Sequence, residues 1–423
     1  MSEQTQSLPP GHDGLVADAG KDLPRRRSIS AWLLTRLSRE TSSGRFIPEM
    51  DGLRFVAIGM VVLFHLNGYL TKKATLPQYA VLAQSDRLAQ VALVGFRGVE
   101  LFFVISGFIL GLPFAAHHIQ GATPVKLRKY YLRRLTRLEP PYFVTVLLLS
   151  ALAILVQGRT AAALLAHVAA SLSYLHNAIY GVPSSVIGVA WSLEIEVQFY
   201  LQVPLLTLLF AIRDRWLRRV SLVGLIVAAL SAQALFLHNT PRLSLSILAF
   251  LQFFLIGFLL ADVFLVDWKE APRKDLYWDL AALAGWPLLF VLLRSPLLTH
   301  WAFPPMVFVL YCAAFRGRLM NWFFSNPWIT AIGGMCYSIY LIHYEVISAV
   351  GRFTRRLSEG VPYWIHLAIQ LGLVGTALVV ICGLYFVLLE KPCMRRDWPQ
   401  RLWSFFRTRI GSGEDLSQAR AAD

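Results

Sequence analysis

The stretch Arg54-Phe-Val-Ala-Ile-Gly-Met-Val-Val-Leu-Phe-His65 decides how this chain is read. It sits inside an apolar run over residues 53–70 that predicts a membrane helix. At about 100° per residue, His65 lies roughly 20° past three full turns from Arg54. Both side chains therefore share one face, about 16 Å apart in depth. Ionisable groups within a span face a bundle interior or a wet cavity, and a functional role is the default reading. The competing reading is an arginine snorkelling at a helix end and a histidine satisfied by a neighbour.

Composition supports the membrane reading. The 423 residues are 56% hydrophobic and only 15% charged, with a mean hydropathy of +0.54. Soluble chains carry about 25% charged residues. Apolar runs of near-membrane length recur, and they are continuous rather than alternating, which excludes a β-barrel. The fold class expected is all-α, a polytopic membrane protein. The net charge of +15 does not indicate nucleic acid. The basic residues cluster between spans, as the positive-inside rule requires, and no basic domain is large enough to hold a duplex. Anionic lipid takes much of the rest. Cys312, Cys336, Cys382 and Cys393 form no CxxC pair, so neither a metal site nor a disulfide framework is expected. The polar N-terminus lacks the apolar core of a cleavable signal and is expected to stay cytoplasmic.

Residues 1–44 read as a disordered and interfacial N-terminal segment, with a short amphipathic helix beginning at Ile29. The spans expected are 53–70, 97–116, 139–157, 190–211, 219–237, 245–266, 276–293, 299–315, 328–350 and 363–390, within a transmembrane domain over 45–390. The segment 160–180 is long enough to cross, but His167, Ser171, Ser173, His176 and Asn177 make it unusually polar. Charge counting decides against a crossing. With ten spans and both termini cytoplasmic, 29 of the 40 Lys and Arg fall inside and nine outside. The segment is therefore read as re-entrant or interfacial, which requires burial in protein or contact with water. Residues 391–423 read as a basic amphipathic tail at the inner leaflet, with no catalytic soluble domain fused there.

This topology groups polar residues at two depths. Arg54, Arg134 and Arg137 meet at the cytoplasmic side, and guanidinium forks suit phosphate. Arg97 and Glu100 share a face at i, i+3 in the outer third of their span. Glu194 and Glu196 are about 200° apart and cannot face one site equally. His65, Glu100, Glu196 and His343 are expected to converge in the outer half, although mutual charge compensation alone would also hold helices together. A histidine near a carboxylate is a general base for an attacking hydroxyl. A long phosphorylated donor, gripped by arginines and presenting its reactive end near the histidine, has the shape of acyl-coenzyme A. Ser106, Trp191 and Tyr200 are further candidates to line the site, with Arg97 and His343.

The motifs also carry a family resemblance over about residues 45–390. They are Pro48-Glu-Met-Asp-Gly-Leu-Arg54-Phe with the following His65; Arg97-Gly-Val-Glu-Leu-Phe-Phe-Val-Ile-Ser-Gly107; and Arg134-x-x-Arg137 with Pro140-Pro-Tyr. Then come Trp191-Ser-Leu-x-x-Glu196-x-Gln-Phe-Tyr200, Tyr337-Ser-Ile-Tyr-Leu-Ile-His343 and Glu390-Lys-Pro. Together and in this order they resemble the membrane-bound acyltransferase 3 family, which O-acylates bacterial cell-surface sugars and some antibiotics. The resemblance implies about ten core spans around a polar cavity in the bacterial inner membrane. It implies catalytic His65, functional Arg54, Arg134 and Arg137 near the donor, and Glu196 in preference to Glu194. Glu100 stands where an aspartate is more usual. The donor implied is acyl-CoA, most simply acetyl-CoA, as a co-substrate; no tightly bound cofactor is expected. The acceptor implied is a carbohydrate or lipid-linked glycan. Family members with an esterase-like extension pass the acyl group through it; here transfer is expected to finish within the membrane domain or on a separate protein. The alternative from the residues is a transporter or flippase relaying protons through the intramembrane His and Glu groups.

Overall fold

The computed structural model describes residues 28–39, 46–73, 81, 85–237, 240–292, 296–395, 398, 400 and 404. Of the segment expected to be disordered, residues 1–27 lie outside them, as does most of the amphipathic tail. Among the described residues every regular element is a helix. The elements that matter are α1 (Ile29–Leu37), α2 (Pro48–Lys72), α3 (Arg87–Leu93), α4 (Gly98–Gln120), α5 (Leu127–Gln157), α6 (Ala161–Leu172), α7 (His176–Tyr180), α8 (Trp191–Leu206), α9 (Arg215–Ala232), α10 (Leu251–Val266), α11 (Leu276–Leu292), α12 (Pro296–Arg316), α13 (Arg318–Phe324), α14 (Pro327–Gly334), α15 (Cys336–Thr354) and α16 (Tyr363–Tyr385).

Local chemistry sets α2. Pro48 occupies its first turn, where the missing N–H costs nothing, Glu49 and Asp51 follow in that turn, and Lys72 ends the helix, all matching the helix dipole. Its 25 residues run unbroken, so the shared face of Arg54 and His65 is realised. Seven helical stretches are long and apolar enough to cross a membrane: Pro48–Lys72, Arg87–Gln120, Leu127–Gln157, Gly188–Ala211, Arg215–Leu237, Leu298–Arg316 and Tyr363–Cys393. This is a multi-pass membrane protein. The other three expected spans are helices of 16, 17 and 19 residues. Of these, α10 is buried along most of its length, and α15 carries Tyr337, Ser338, Tyr340, His343 and Glu345, which lower its hydropathy.

Residues 160–180 do not form one long helix. The 12 residues of α6 span about 18 Å, short of the roughly 30 Å of hydrocarbon. Tyr174 then adopts a left-handed φ of 56°, which breaks the helix before α7. The ring of Tyr174 stacks on Tyr142 at 5.0 Å, and the Tyr142 hydroxyl donates to Ser171 O at 3.0 Å. Buried Glu194 accepts the Asn177 N–H at 2.8 Å. Irregular backbone in an apolar setting is thus paired inside the protein, as it must be.

Two crossings fix the bundle. Helix α4 packs on α10 so closely that a Cβ at Gly107 would fall on the Phe254 carbonyl, and one at Gly257 on the Val104 carbonyl. Small residues at facing positions are what let membrane helices pack backbone to backbone. Phe254 then stacks on Phe199 of α8 at 3.9 Å and meets Phe103 at 4.7 Å. Gly107→Ala should push α4 off α10 and cost about 1–3 kcal/mol. Thermal unfolding in detergent checks this; an unchanged midpoint would contradict the crossing. The second crossing docks α14 against the start of α2, where a Cβ at Gly333 would strike the Asp51 carbonyl. Helix α2 also packs against α4 and α15, and this places it at the centre of the site.

Candidate active site

An internal cavity of about 110 Å³ opens between α2, α4, α5, α8 and α15. Its polar wall consists of Arg39, Arg54, Arg134, Arg137, Ser106, Glu196 and the tyrosines Tyr200, Tyr337 and Tyr340. Arg54, Arg134 and Arg137 were expected together from the sequence. Arg39, on the segment after α1, was not, because sequence spacing says nothing about how that segment folds back on the bundle. Asp51, 1% exposed, ties both cationic elements down: its carboxylate pairs with Arg54 and, at 3.1 Å, with Arg39 Nε. Burial, and next the adjacent Arg54 charge, pull the Arg39 guanidinium below its ordinary value while Asp51 opposes them.

Arg134 and Arg137 have no such carboxylate. Each has a buried Nε without a hydrogen-bond partner, and neither forms an ion pair among the described residues. Arg134 lies against the Tyr130 and Tyr200 rings at 5.9 and 5.8 Å. A one-turn spacing on α5 aims both into the same space. Across it, Ser106 Oγ donates to Glu196 Oε1 at 2.6 Å. The cavity thus holds four guanidinium groups and one carboxylate, an arrangement that favours an anion.

The cavity wall ends at Val61 and Tyr340, one turn short of His65 on α2 and three residues before His343 on α15. The two rings meet there. His343 Nε2 is 3.0 Å from His65 Nδ1, which is also 3.0 Å from Val61 O. His343 Nδ1 lies 2.8 Å from Tyr340 O and 3.0 Å from Ile339 O. Carbonyl oxygens only accept, so this pattern assigns a proton to Nδ1 of His343, leaving its Nε2 to accept from His65 Nδ1–H. His65 Nε2 then keeps its lone pair and has no hydrogen-bond partner among the described residues.

The expected convergence of four groups is only half realised. His65 and His343 meet, whereas the carboxylates go elsewhere. Glu100 accepts from Arg97 Nη1 through both oxygens, at 3.0 and 2.8 Å, on a different cavity. Glu100 and Ser106 are six residues apart on α4 and so roughly 120° apart around it. Glu196 bonds Ser106, not the imidazole. The orienting partner of His65 is therefore a second histidine. Trp191 packs on Phe250 at 5.7 Å and does not reach the arginine cavity. Glu194 serves the broken helix, consistent with its separation from Glu196. Glu390 accepts both the N–H and the hydroxyl of Ser338, at 3.0 and 2.5 Å, at the start of α15.

A cation-lined internal cavity with an imidazole pair one turn beyond it, inside a multi-pass helical bundle, defines the class. The chain belongs to the acyltransferase 3 family: the family described as Acyltransferase domain matches residues 47–389. A Staphylococcus aureus (strain COL) protein named "Putative O-acetyltransferase SACOL0978" is 26% identical over 335 residues, covering 72% of this chain and 51% of that protein. The O-acetyltransferase OatA of Staphylococcus aureus (strain NCTC 8325 / PS 47) is 24% identical over 402 residues, covering 86% of this chain and 61% of OatA. This chain therefore spans about half the length of the first of these relatives. No solved structure matches it significantly.

Proposed function

We propose that the chain is an O-acyltransferase that moves an acyl group, most simply acetyl, from cytoplasmic acyl-CoA to a hydroxyl of a cell-surface carbohydrate or lipid-linked glycan. Family membership and the printed names of the relatives support the reaction class. One observation carries the donor: two half-buried arginines, Arg134 and Arg137, face the cavity with their buried Nε atoms unpartnered and with no ion pair among the described residues. Phosphate answers guanidinium forks in geometry and charge. The topology is ten spans in the bacterial inner membrane with both termini cytoplasmic, supported by the 29-to-9 distribution of basic residues. The arginine end then faces the cytoplasm and the histidine pair lies in the outer half.

The coenzyme phosphates bind at Arg39, Arg54, Arg134 and Arg137, and the narrow cavity takes the thioester arm. His65 Nε2 removes the proton from the acceptor hydroxyl as its oxygen attacks the thioester carbonyl carbon. His343 accepts from His65 Nδ1–H and stabilises the imidazolium that forms. The C–S bond then breaks, the thiolate takes the proton from His65, and an ester and free coenzyme A leave. No metal or tightly held cofactor takes part in this scheme. Glu196, held by Ser106, offsets part of the arginine charge.

Mass spectrometry of surface glycans from cells with and without the gene tests the function; the expected loss is one acetyl substituent, and identical glycans would refute it. Arg134→Ala and Arg137→Ala should each raise the KM for acetyl-CoA at least about tenfold, since a hydrogen bond to a charged group contributes about 1.5–3 kcal/mol. The kcat should change less. Initial rates in nanodiscs check this, and an unchanged KM in both variants would remove the arginines from the donor site.

A further inference from the structure

A second cavity of about 420 Å³ lies on another face of α4, between α4, α9, α10 and α12. Its size falls in the range of small-molecule sites. Its chemistry differs from that of the arginine cavity. Arg97 is the cation in its wall, and Glu100 neutralises it through both carboxylate oxygens. The guanidinium is also sandwiched between Phe303 at 4.7 Å and Phe96 at 5.0 Å. His300 Nε2 donates to Leu230 O at 2.9 Å. The wall offers no free positive charge among the described residues, which disfavours a phosphate or carboxylate ligand.

It does offer an unused acceptor. Gln252 is fully buried. Its amide nitrogen donates to Gln233 Oε1 and Ala249 O, both at 3.0 Å, and its Oε1 has no partner among the described residues. A buried acceptor left alone is costly, and a ligand hydroxyl would satisfy it. Gln233 opens a π-helical turn, Gln233–Leu237, a distortion common at functional sites. Trp301, 41% exposed, is an aromatic residue of the same wall. Neutral polar groups that pair with hydroxyls, beside an aromatic ring that covers C–H, match a pyranose. A chain of rings links the site to the histidine pair: Phe96 meets Phe64 at 6.1 Å, and Phe64 meets His65 at 5.1 Å.

We propose that this second cavity is a carbohydrate subsite on the acceptor side, holding one sugar ring between the Trp301 face and the Gln252 Oε1 acceptor, with Arg97–Glu100 as its neutral polar wall. The assignment rests on the acyl-transfer reading given above. It gives Glu100 a place in sugar binding rather than beside the base.

The test uses the full chain in its native membranes with Trp301→p-benzoylphenylalanine, a photo-crosslinker, followed by mass spectrometry of the adduct. A sugar-containing adduct is expected. Adding Gln252→Leu should lower its yield at least about fivefold, while acetyl-CoA binding at the arginine cavity stays as before. An adduct with phospholipid alone, or no adduct, would overturn the subsite, as would a yield indifferent to Gln252. Acetyl transfer by the unsubstituted chain in the same kind of membrane separates the two readings. Transfer by the unsubstituted chain in parallel membranes, without a sugar adduct, removes only the subsite; a sugar adduct with no transfer by the unsubstituted chain removes the enzymatic reading and leaves a carbohydrate-binding cavity.

Discussion

Replacing His65 with alanine should lower acyl transfer by about 10²–10⁴-fold, the usual contribution of a positioned general base, while the protein still accumulates and still binds acetyl-CoA. The argument is the proton assignment. The carbonyl oxygens of Val61, Ile339 and Tyr340 dictate where the hydrogens of the two rings lie, and only His65 Nε2 is left able to accept one. His343→Leu should also reduce the rate, because it removes one of the two acceptors of the His65 Nδ1–H and leaves Val61 O alone to orient the ring. His343→Gln offers an amide oxygen near the same place and should recover part of it. Radiolabelled acetyl transfer in nanodiscs reads all three variants. A His65→Ala protein with native turnover, or a His343→Gln protein no better than His343→Leu, would contradict the arrangement.

The largest expected loss of stability follows Asp262→Ala. Asp262 is fully buried on α10 and accepts from two guanidinium groups, Arg218 and, at 2.7 Å, Arg219 Nε. Arg218 is itself only 3% exposed and donates from Nη1 to Ile212 O at 2.7 Å. Removing the carboxylate leaves the buried Arg218 with no counter-charge and Arg219 with only the half-exposed Asp267. Breaking a buried pair from one side costs about 3–5 kcal/mol. Arg219 also pairs with Asp267 at 2.9 Å, but that carboxylate is 36% exposed. Asp267→Ala should therefore cost no more than about 1 kcal/mol. Thermal unfolding in detergent ranks the two variants; equal midpoints would show that the buried network contributes little.

Several features of the chain were legible before folding. The period of α2 put Arg54 and His65 on one face, and the helix runs unbroken through both residues. The polar character of 160–180 signalled something other than a plain crossing, and the chain breaks at Tyr174 accordingly. The angular separation of Glu194 and Glu196 foretold different roles, and they bond to different elements. Other features were not legible. Arg39 reaches the cavity because α1 and its following turn fold against the bundle, with Lys391 donating to the Thr35 and Arg36 carbonyls at 2.9 and 2.8 Å. That is a contact between residues more than 350 positions apart. Arg218 and Arg219 read as topology signals, yet they also close a buried ion network.

The sequence by itself determined the solvent, the helical fold, the arginine cluster and the family, because hydropathy, helical period and motif order are properties of the chain in one dimension. Tertiary structure decided which carboxylate faces which cation. Glu100 turned away from the imidazole because Arg97, one turn before it, is the nearer partner, and His343 took the orienting place because α15 packs beside α2. Pairing among buried polar groups is settled by which helix faces touch, and the spacing of residues along any one helix does not encode that choice.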